Sequence, residues 1–379
     1  MKIKYFHHGL WPSNSPSTTF ITYNALGFIH NKIDFELITT KNSKRLTDQI
    51  LKKDFDIHHG LNIHIIKAGP LKRKHLVISI FAYFYLLKSN FDILITRNLH
   101  FLPYALLLRK QKNIKVIFES HDFFTDEKLR GIAYDTSRKK LQKREKKYIP
   151  KVDAIICVSE IQKEYYKKYY PKNNFLTAVT GIKTPKTPKQ KKDFFYNVAY
   201  IGSFNDKIYD FDFLFSVFDK MSEKEVNLIL IGARNRNDYK FIQGLSKKYH
   251  LEKRVHIVKW ITPTQLEDIK KTIDIGVVPM IINPRNQICS PLKVMEYLSV
   301  GIPVIASKLR GLENIITYEK DGFLLENKKE KWASIIDNIY QDFGKYQKLS
   351  TEALKIAQRL SWDNRAKKIY DFLETKFKY

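Results

Sequence analysis

The residues best suited to chemistry lie in one segment, residues 290–307 (SPLKVMEYLSVGIPVIAS). Ser290 followed by Pro291 predicts a helix start, because a hydroxyl can cap the first free amides and proline suits the first helical position. Free amides and the positive end of the helix dipole favour a diphosphate. Leu292 and Lys293 fall in the first turn, where Lys293 either reaches a phosphate or is a solvated surface lysine. We therefore predict that Ser290, Leu292 and Lys293 contact a diphosphate.

Glu296 lies more than one turn further into the same helix, on a side chain that leans back toward the helix N-terminus. A carboxylate there can accept two hydrogen bonds from a vicinal diol, which is what a ribose offers. A glutamate in a helix is usually just exposed, so the prediction depends on the cap and on the apolar residues around it. The segment as a whole predicts a nucleotide site.

Two further stretches are candidates. His121 and Asp122 follow a predicted buried strand and so lie at its carboxyl end, where open α/β sheets bind ligands. His121 either orients a ligand there or caps the strand as a structural histidine. Residues 12–19 (PSNSPSTT) offer hydroxyls and amides at another helix start, and either contact a ligand or form an ordinary capped N-terminus.

The elements that must position these residues are short β-rich runs that alternate with helical stretches, the pattern of parallel sheets built from βα units. Runs that are apolar on both faces, such as residues 154–158, indicate helices on both sides of a sheet. The predicted strands are residues 3–7, 35–40, 61–67, 91–97, 115–121, 154–159 and 175–179, and in a second series residues 198–202, 227–232, 255–258, 275–279, 303–307 and 322–325.

These two series predict an α/β fold with two doubly wound, Rossmann-like domains facing a central cleft. Residues 183–192 (KTPKTPKQKK) separate them and have the composition of a linker. The expected division is therefore a first domain over residues 1–182, a linker over 183–196, a second domain over 197–355, and a helix over 356–379 that crosses back to the first domain.

The formal net charge of the 379-residue chain is +28, and it is unevenly distributed. Residues 1–200 hold 37 basic and 16 acidic side chains (37 − 16 = +21), and the remaining residues hold 30 and 23 (30 − 23 = +7). Such a field favours an anionic partner: nucleic acid, an acidic membrane leaflet or a phosphorylated substrate. A lysine-rich source organism would also raise the charge, but it would not explain the asymmetry.

The two cysteines, Cys157 and Cys289, have no metal-ligand spacing, which favours a reducing compartment. The N-terminus reads as a first buried strand rather than as a signal peptide. The longest apolar run, residues 76–87, is shorter than the ~20 residues that span a bilayer and is interpreted as a core helix. We therefore predict a cytoplasmic protein that lies peripherally on the inner face of a membrane.

The chain resembles the family 4 glycosyltransferases, a retaining family with the two-domain GT-B fold. Residues 290–307 resemble the donor-site segment of that family, whose glutamate holds the nucleotide ribose, here Glu296. The resemblance continues in AYIGS (199–203), LIG (230–232), DIGVVP (274–279), DGFLL (321–325), SWDNRA (361–366), TRN (96–98), ESHD (119–122) and CVSE (157–160). It implies a nucleotide-sugar donor and a glycan or lipid-linked acceptor in surface polysaccharide or glycoconjugate assembly.

The chain departs from this family at two places. Ile288 stands where the family usually has a second glutamate in contact with the donor sugar, and Asn283, Asn286 or Gln287 could replace its hydrogen bonds. Ser203 stands where the family usually has an arginine, which leaves Lys207 as the first candidate for the diphosphate cation and Arg234 as the second.

The resemblance also implies a mechanism. His121 approaches the donor sugar, where its imidazole would orient a hydroxyl or stabilise positive charge, and is not a base. The departing phosphate oxygen takes the proton of the acceptor in a front-face attack, so Lys207 and other cations near the diphosphate serve in place of a metal. No metal and no cofactor are expected, and no Asp-x-Asp triplet occurs where a metal-dependent enzyme would need one.

Basic residues interleave with aromatic residues in the first half of the chain, which suits an anionic membrane surface. The stretches are residues 71–75 (LKRKH), 81–85 (FAYFY), 138–148 (RKKLQKREKKY) and 163–170 (KEYYKKYY).

A nucleic-acid-binding protein would also be basic, but no nucleic-acid module is present, and residues 290–307 would be left without a role. We therefore expect no nucleic-acid partner. An inactive scaffold and a same-fold nucleotide-sugar epimerase remain as alternatives.

Overall fold

The computed structural model describes residues 1–13, 15–41, 44–58, 60–67, 74–126, 136–183 and 193–378. The chain divides into two compact units, one made of Met1–Gly181 with Trp362–Tyr379 and the other of Ile182–Ser361. The predicted linker falls largely on residues 184–192, which lie outside the described residues, as do residues 71–73 of the first basic stretch.

The first unit is built on a seven-stranded parallel sheet of order β3-β2-β1-β4-β5-β6-β7. Its strands and helices are β1 (Ile3–Trp11), α1 (Pro16–His30), β2 (Phe35–Lys41), α2 (Thr47–Phe55), β3 (Ile63–Ile66), α3 (Lys74–Lys88), β4 (Ile93–Thr96), α4 (Leu102–Gln111), β5 (Lys115–Ser120), α5 (Thr136–Tyr148), β6 (Ala154–Cys157), α6 (Glu160–Tyr169) and β7 (Asn174–Thr177).

The second unit is built on a six-stranded parallel sheet of order β10-β9-β8-β11-β12-β13. Its elements are β8 (Asn197–Ile201), α7 (Phe211–Lys220), β9 (Asn227–Ala233), α8 (Arg236–Lys248), β10 (Val255–Lys259), α9 (Pro263–Lys270), β11 (Ile275–Val278), α10 (Leu292–Leu298), β12 (Val304–Ser307), β13 (Gly322–Leu325), α11 (Lys329–Tyr340) and α12 (Phe343–Arg359).

All thirteen predicted strands are confirmed, and so is the prediction of two parallel-sheet α/β domains. The four residues of β4, and likewise those of β6, β11 and β12, are all buried, because helices cover both faces of each sheet. Strand β1 is longer than predicted. Its register against β2 shifts between Phe6 and Leu10, so that His7, His8 and Gly9 form a bulge.

The last helix, α13 (Trp362–Phe377), packs against α1 and belongs to the first unit. The two helices approach closely at Gly27, where an added Cβ would lie 2.4 Å from the Trp362 carbonyl oxygen. The Trp362 ring meets the Phe20 ring edge-on, with 5.1 Å between centroids. A glycine at position 27 is therefore what lets α13 dock on α1.

Arg365 ties α13 to the sheet. Its buried guanidinium donates to the Glu119 carboxylate, to the Asn24 side-chain oxygen and to the Val179 carbonyl (3.0 Å). Glu119 also accepts a hydrogen bond from the Tyr5 hydroxyl at 2.5 Å. Burial alone would raise the pKa of Glu119, but the Arg365 charge and the hydrogen bonds hold that pKa well below its usual range.

Helix α3 corrects one interpretation from the sequence. Only one face, with Ile78, Ala82 and Leu86, is buried. The other face exposes large apolar side chains, namely Leu76, Ile80, Phe81 and Phe84. Residues 76–87 are therefore not a core helix: α3 is covered on one side only, and its second apolar stripe is left open. No helix among the described residues is long and apolar enough to cross a membrane.

Replacing Arg365 by methionine should lower the stability of the first unit by about 3–5 kcal/mol, because Glu119 would stay buried without its cation. Hydrogen exchange of the α1 and α13 amides, measured as the free energy of opening, reports this directly. Lys367→Met, on an exposed face of the same helix, is the matched control and should change little. Equal protection of α13 in Arg365→Met and Lys367→Met would contradict the role assigned to the ion pair.

Candidate functional site

The candidate site of the second unit lies where β8, β9 and β11 reach their carboxyl ends. Gly202 follows β8 with φ +138°, and its amide donates to the Ile231 carbonyl at 2.8 Å. Gly232 has φ +127°, and a Cβ there would lie 2.3 Å from the Gly202 carbonyl oxygen. These two glycines allow the backbone of neighbouring strand ends to pack together, leaving room above Gly202 for one side chain.

Lys293 fills that room. Its Nζ lies 3.8 Å from the centre of the Tyr200 ring and 3.5 Å from that of Tyr209, and an added Cβ at Gly202 would be 2.9 Å from it. The ammonium is buried and makes no hydrogen bond to any residue in the described ranges. Burial holds the pKa of Lys293 well below its usual range. The alternative of a solvated lysine is thus wrong: Lys293 is a buried amine packed against two ring faces, with no counter-ion among the described residues.

Ser290 does not cap the helix as predicted. Pro291 has an extended backbone (φ −66°, ψ 129°) and occupies the cap position itself, so α10 begins at Leu292. The Ser290 hydroxyl therefore stands one residue too early to reach the first amides. It is buried, and within the described part of the chain it has no hydrogen-bond partner. Leu292, half-buried, is the first helical residue.

Glu296 is held by a lysine that the sequence analysis missed. The Lys270 ammonium, fully buried, donates to Glu296 Oε2 at 3.0 Å, to Glu267 Oε1 at 2.9 Å and to Ser299 Oγ at 3.0 Å. Burial would lower the pKa of Lys270, but the two carboxylates raise it above its ordinary value. Glu296 is 18% exposed, and its Oε1 accepts no hydrogen bond from the described residues. One oxygen is fixed and the other remains available.

The other predicted donor residues divide into two groups. Ser203 accepts a hydrogen bond from the Tyr200 hydroxyl through its carbonyl (2.7 Å), and the Arg234 charge lowers the pKa of Tyr200, which burial raises. Ser203 and Lys293 thus both contact Tyr200, whereas Arg234 lies exposed just after β9. Lys207 lies in the exposed turn after β8, and its side chain makes no hydrogen bond or ion pair with the described residues.

Ile288 is buried, so it offers nothing to a ligand. The proposed substitutes already have partners. The Asn283 side-chain oxygen accepts from the Asn286 amide (2.9 Å), the Asn286 side chain donates to the Ile281 carbonyl (2.8 Å), and the Gln287 side-chain oxygen accepts from the Arg310 amide (2.8 Å). These residues shape the loop before α10.

In the first unit, His121 follows β5 as predicted. Its ring is edge-on to Phe20, 4.5 Å between centroids, and its Nε2 lies 3.7 Å from Glu119 Oε1, too far for a hydrogen bond. Burial, together with the charge of Arg97, lowers the pKa of His121 to about 4 despite the opposing Glu119. His121 is therefore a neutral imidazole at neutral pH. The sequence analysis did not single out Arg97 or His7, which lie beside it.

Among the described residues, no group of three or more His, Cys, Asp or Glu side chains could hold a metal ion. The expectation that no metal or cofactor takes part stays a prediction.

Two known families match this chain. The family described as Glycosyltransferase Family 4 matches residues 18–179, and the family described as Glycosyl transferases group 1 matches residues 196–342. The two matched ranges fall in the two structural units in the order that the sequence motifs predicted.

Curated relatives match over shorter stretches. The chain is 24% identical to an uncharacterized glycosyltransferase of Methanocaldococcus jannaschii over 159 residues. This matched stretch covers 41% of this chain and 39% of that protein. It is 24% identical to the D-inositol 3-phosphate glycosyltransferase of Corynebacterium urealyticum over 133 residues. This matched stretch covers 35% of this chain and 30% of that protein. The matched region spans less than half the length of either relative.

Solved structures resemble the whole chain. Sucrose-phosphate synthase from Thermosynechococcus elongatus superposes with a TM-score of 0.75 at 19% identity, over 99% of both chains. TarM of S. aureus superposes with a TM-score of 0.77 at 14% identity, over 98% of this chain and 99% of that chain. HepE of Anabaena, in a complex with UDP and glucose, superposes with a TM-score of 0.73 at 14% identity, over 99% of this chain and 100% of that chain. The likeness confirms the GT-B fold, and the two family matches show that this chain belongs to the family 4 (group 1) glycosyltransferases.

Proposed function

We propose that this protein transfers a sugar from a nucleotide-sugar donor to a glycan or lipid-linked acceptor, with retention of anomeric configuration and without a metal. The observation that carries the proposal is Lys293, a buried amine at the carboxyl ends of the strands for which the described residues supply no counter-ion. A buried unpaired charge is costly, and an anion bound beside it would restore its ordinary pKa. The donor diphosphate is that anion.

Glu296 supports the nucleotide part of the proposal. Because Lys270 fixes one carboxylate oxygen, the other is held ready to accept a hydrogen bond from a ribose hydroxyl. Ser203, whose carbonyl accepts from the Tyr200 hydroxyl, and Arg234, which is exposed just after β9, are further donor-binding groups, and Lys207 remains a candidate for the diphosphate cation. The solved relative HepE binds UDP and glucose, which is consistent with a uridine nucleotide.

The chemistry follows from charge. The C–O bond between the sugar and the diphosphate breaks, and the oxygen that leaves collects negative charge, which Lys293 and the other cations stabilise. That oxygen takes the proton of the acceptor hydroxyl as the new glycosidic bond forms on the same face. His121, neutral at neutral pH, orients a sugar hydroxyl and is not the base.

We further propose that the first unit rests on an anionic membrane. The exposed stripe of α3 would enter the interface, with Lys88 and Lys110 exposed nearby and a row of exposed lysines on α5 and α6. Apolar side chains beside lysines favour binding to anionic lipid. A lipid-linked acceptor would be met at this surface, in the assembly of a bacterial surface polysaccharide or glycoconjugate.

Lys293→Met should abolish nucleotide-sugar binding and yet stabilise the free protein. The variant removes an unpaired buried charge, worth about 1–3 kcal/mol, and keeps the length of the side chain. A thermal-shift panel of nucleotides and nucleotide sugars measures both effects. The wild type should gain about 2.7 kcal/mol at a hundredfold excess of ligand over Kd, and Lys293→Met should gain nothing.

The control is Lys271→Met. Lys271 is exposed at the C-terminal end of α9, and this variant should bind nucleotide sugar like the wild type. If no nucleotide or nucleotide sugar stabilises the wild type, while oligonucleotides do, the transferase proposal fails in favour of a binding role. Analysis of the products distinguishes an epimerase from a retaining transferase. An epimerase converts the donor without an acceptor, whereas a retaining transferase gives a product whose anomeric proton coupling matches that of the donor.

Phe81→Ser combined with Phe84→Ser should weaken binding to vesicles that contain anionic lipid by about 10- to 100-fold, since two half-exposed phenyl rings would no longer enter the interface. Vesicle sedimentation measures the partition coefficient. Leu46→Ser is the control, because Leu46 is 66% exposed at the N-cap of α2, away from the stripe on α3. Unchanged binding of the double variant would refute the assigned membrane surface.

A further inference from the structure

Three polar side chains meet at neighbouring strand ends in the first unit, and only one of them, His121, was a predicted site residue. His7 lies in the bulge of β1, Arg97 directly follows β4, and His121 directly follows β5. Strand β4 lies between β1 and β5 in the sheet. The carboxyl ends of these strands therefore bring the three side chains to one edge of the sheet.

Contacts with Phe20 confirm that Arg97 and His121 are close. The Arg97 guanidinium carbon lies 5.2 Å from the centre of the Phe20 ring, and the His121 ring centre lies 4.5 Å from it. The charge of Arg97 contributes to lowering the pKa of both His7 and His121, after burial itself. The three side chains thus form one cluster, which we call the Arg97 cluster (His7, Arg97 and His121).

Each member of the Arg97 cluster has a polar atom that is shut off from solvent and has no hydrogen-bond partner within the described ranges. These atoms are His7 Nδ1, Arg97 Nη1 and His121 Nε2. His7 is only 5% exposed. A buried polar atom without a partner is uncommon and costs free energy, and three together indicate a missing ligand rather than a packing accident.

The charge of the cluster is also unbalanced. Glu119, the carboxylate near His121, already accepts from Arg365 and from Tyr5. Arg97 makes no ion pair with a described residue, so its positive charge has no counter-ion there. The ligand that would complete the cluster is therefore an anion.

The backbone around the cluster is shaped for this arrangement. An added Cβ at Gly9 would lie 2.3 Å from His7 Nε2, so the imidazole can fold over position 9 only if that residue is glycine. The Gly9 carbonyl accepts from the Thr39 and Thr40 hydroxyls, both at 3.1 Å, which fixes the bulge. On the other side of Arg97, the Asn98 side-chain oxygen accepts from the His8 amide at 3.0 Å.

We propose that the Arg97 cluster binds an oxyanion, a phosphate or carboxylate, carried by the acceptor, so that the acceptor is an anionic sugar or polyol rather than a neutral one. The inference rests on the proposed transferase function, and it adds the class of acceptor. Arg97 donates to one or two oxygens of the anion, and His7 and His121 donate through the nitrogens that now lack partners.

The first test is binding of simple anions to the whole protein. Inorganic phosphate, glucose 6-phosphate, glucuronate and glucose are titrated while the ring nitrogens of His7 and His121 are followed by NMR. The three anions should shift these resonances and glucose should not. Phosphate alone would point to a free phosphate site, which would overturn the acceptor assignment, whereas the sugar anions should bind at least as tightly as phosphate.

Arg97→Met should weaken binding of glucose 6-phosphate or glucuronate by about 10- to 100-fold, the loss expected for one charge-assisted hydrogen bond. Lys52→Met, an exposed residue of α2, removes the same charge and should bind like the wild type. Equal weakening in both variants would mean that the anions respond only to net charge, and the proposal would fail. Because Arg97→Met could unfold the first unit, His7→Gln, expected to weaken binding about 10-fold, serves as a second variant.

Nucleotide-sugar binding separates this inference from the proposed function. Arg97→Met should keep the thermal stabilisation by nucleotide sugar that Lys293→Met loses. If Arg97→Met loses it too, the cluster belongs to the donor and the acceptor assignment is overturned. If neither nucleotide nor nucleotide sugar binds the wild type while anions still shift His7 and His121, the proposed function fails but the anion site stands.

Discussion

Near the end of β5 a buried carboxylate, Glu119, stays ionised because the Arg365 guanidinium and the Tyr5 hydroxyl both donate to it. This ion pair joins the last helix to the middle of the first sheet. The ion pair also determines how much of the Glu119 charge is available to the neighbouring Arg97 and His121. Among the described residues Arg97 has no carboxylate partner, and the Glu119 carboxylate, 3.7 Å from His121, opposes the lowering of the His121 pKa without reversing it. The reactive edge of the first unit thus depends on a contact made by a helix from the far end of the chain.

Two buried lysines of the second unit show the same principle with opposite outcomes. Lys270 is surrounded by Glu267, Glu296 and Ser299, and its pKa is raised. Lys293 is surrounded by two tyrosine rings, and its pKa is lowered. Described carboxylates supply a counter-charge to Lys270, which orients Glu296, whereas no described residue supplies one to Lys293. Charged groups that fix the position of another side chain are paired in this unit, whereas a group that is suited to bind an anion has no counter-charge from the described residues.

The sequence predicted the sheets well because each buried parallel strand has a local signature, a short β-branched run with apolar residues on both faces. It placed Glu296 on a helix because Ser290 followed by Pro291 indicates a helix start nearby. It failed at Ser290, because Pro291 is compatible with both the cap and the first helical position, and only its extended ψ decides between them. It could not anticipate Lys270, whose bond to Glu296 joins two separate helices. The Arg97 cluster was equally hidden, since His7 enters it only through a bulge in β1 that has no signal in the sequence pattern.

Helix α13 completes a unit whose other elements were made long before it. A ribosome releases β1 to β7 first, then the whole second unit, and α13 only afterwards. Until then the surface of α1 around Gly27 has no cover, and Glu119 is buried without its cation. The nascent second unit has all its strands and can reach its native state earlier. The unit begun first can therefore be completed only after the other unit has been synthesised, because α13 belongs to it.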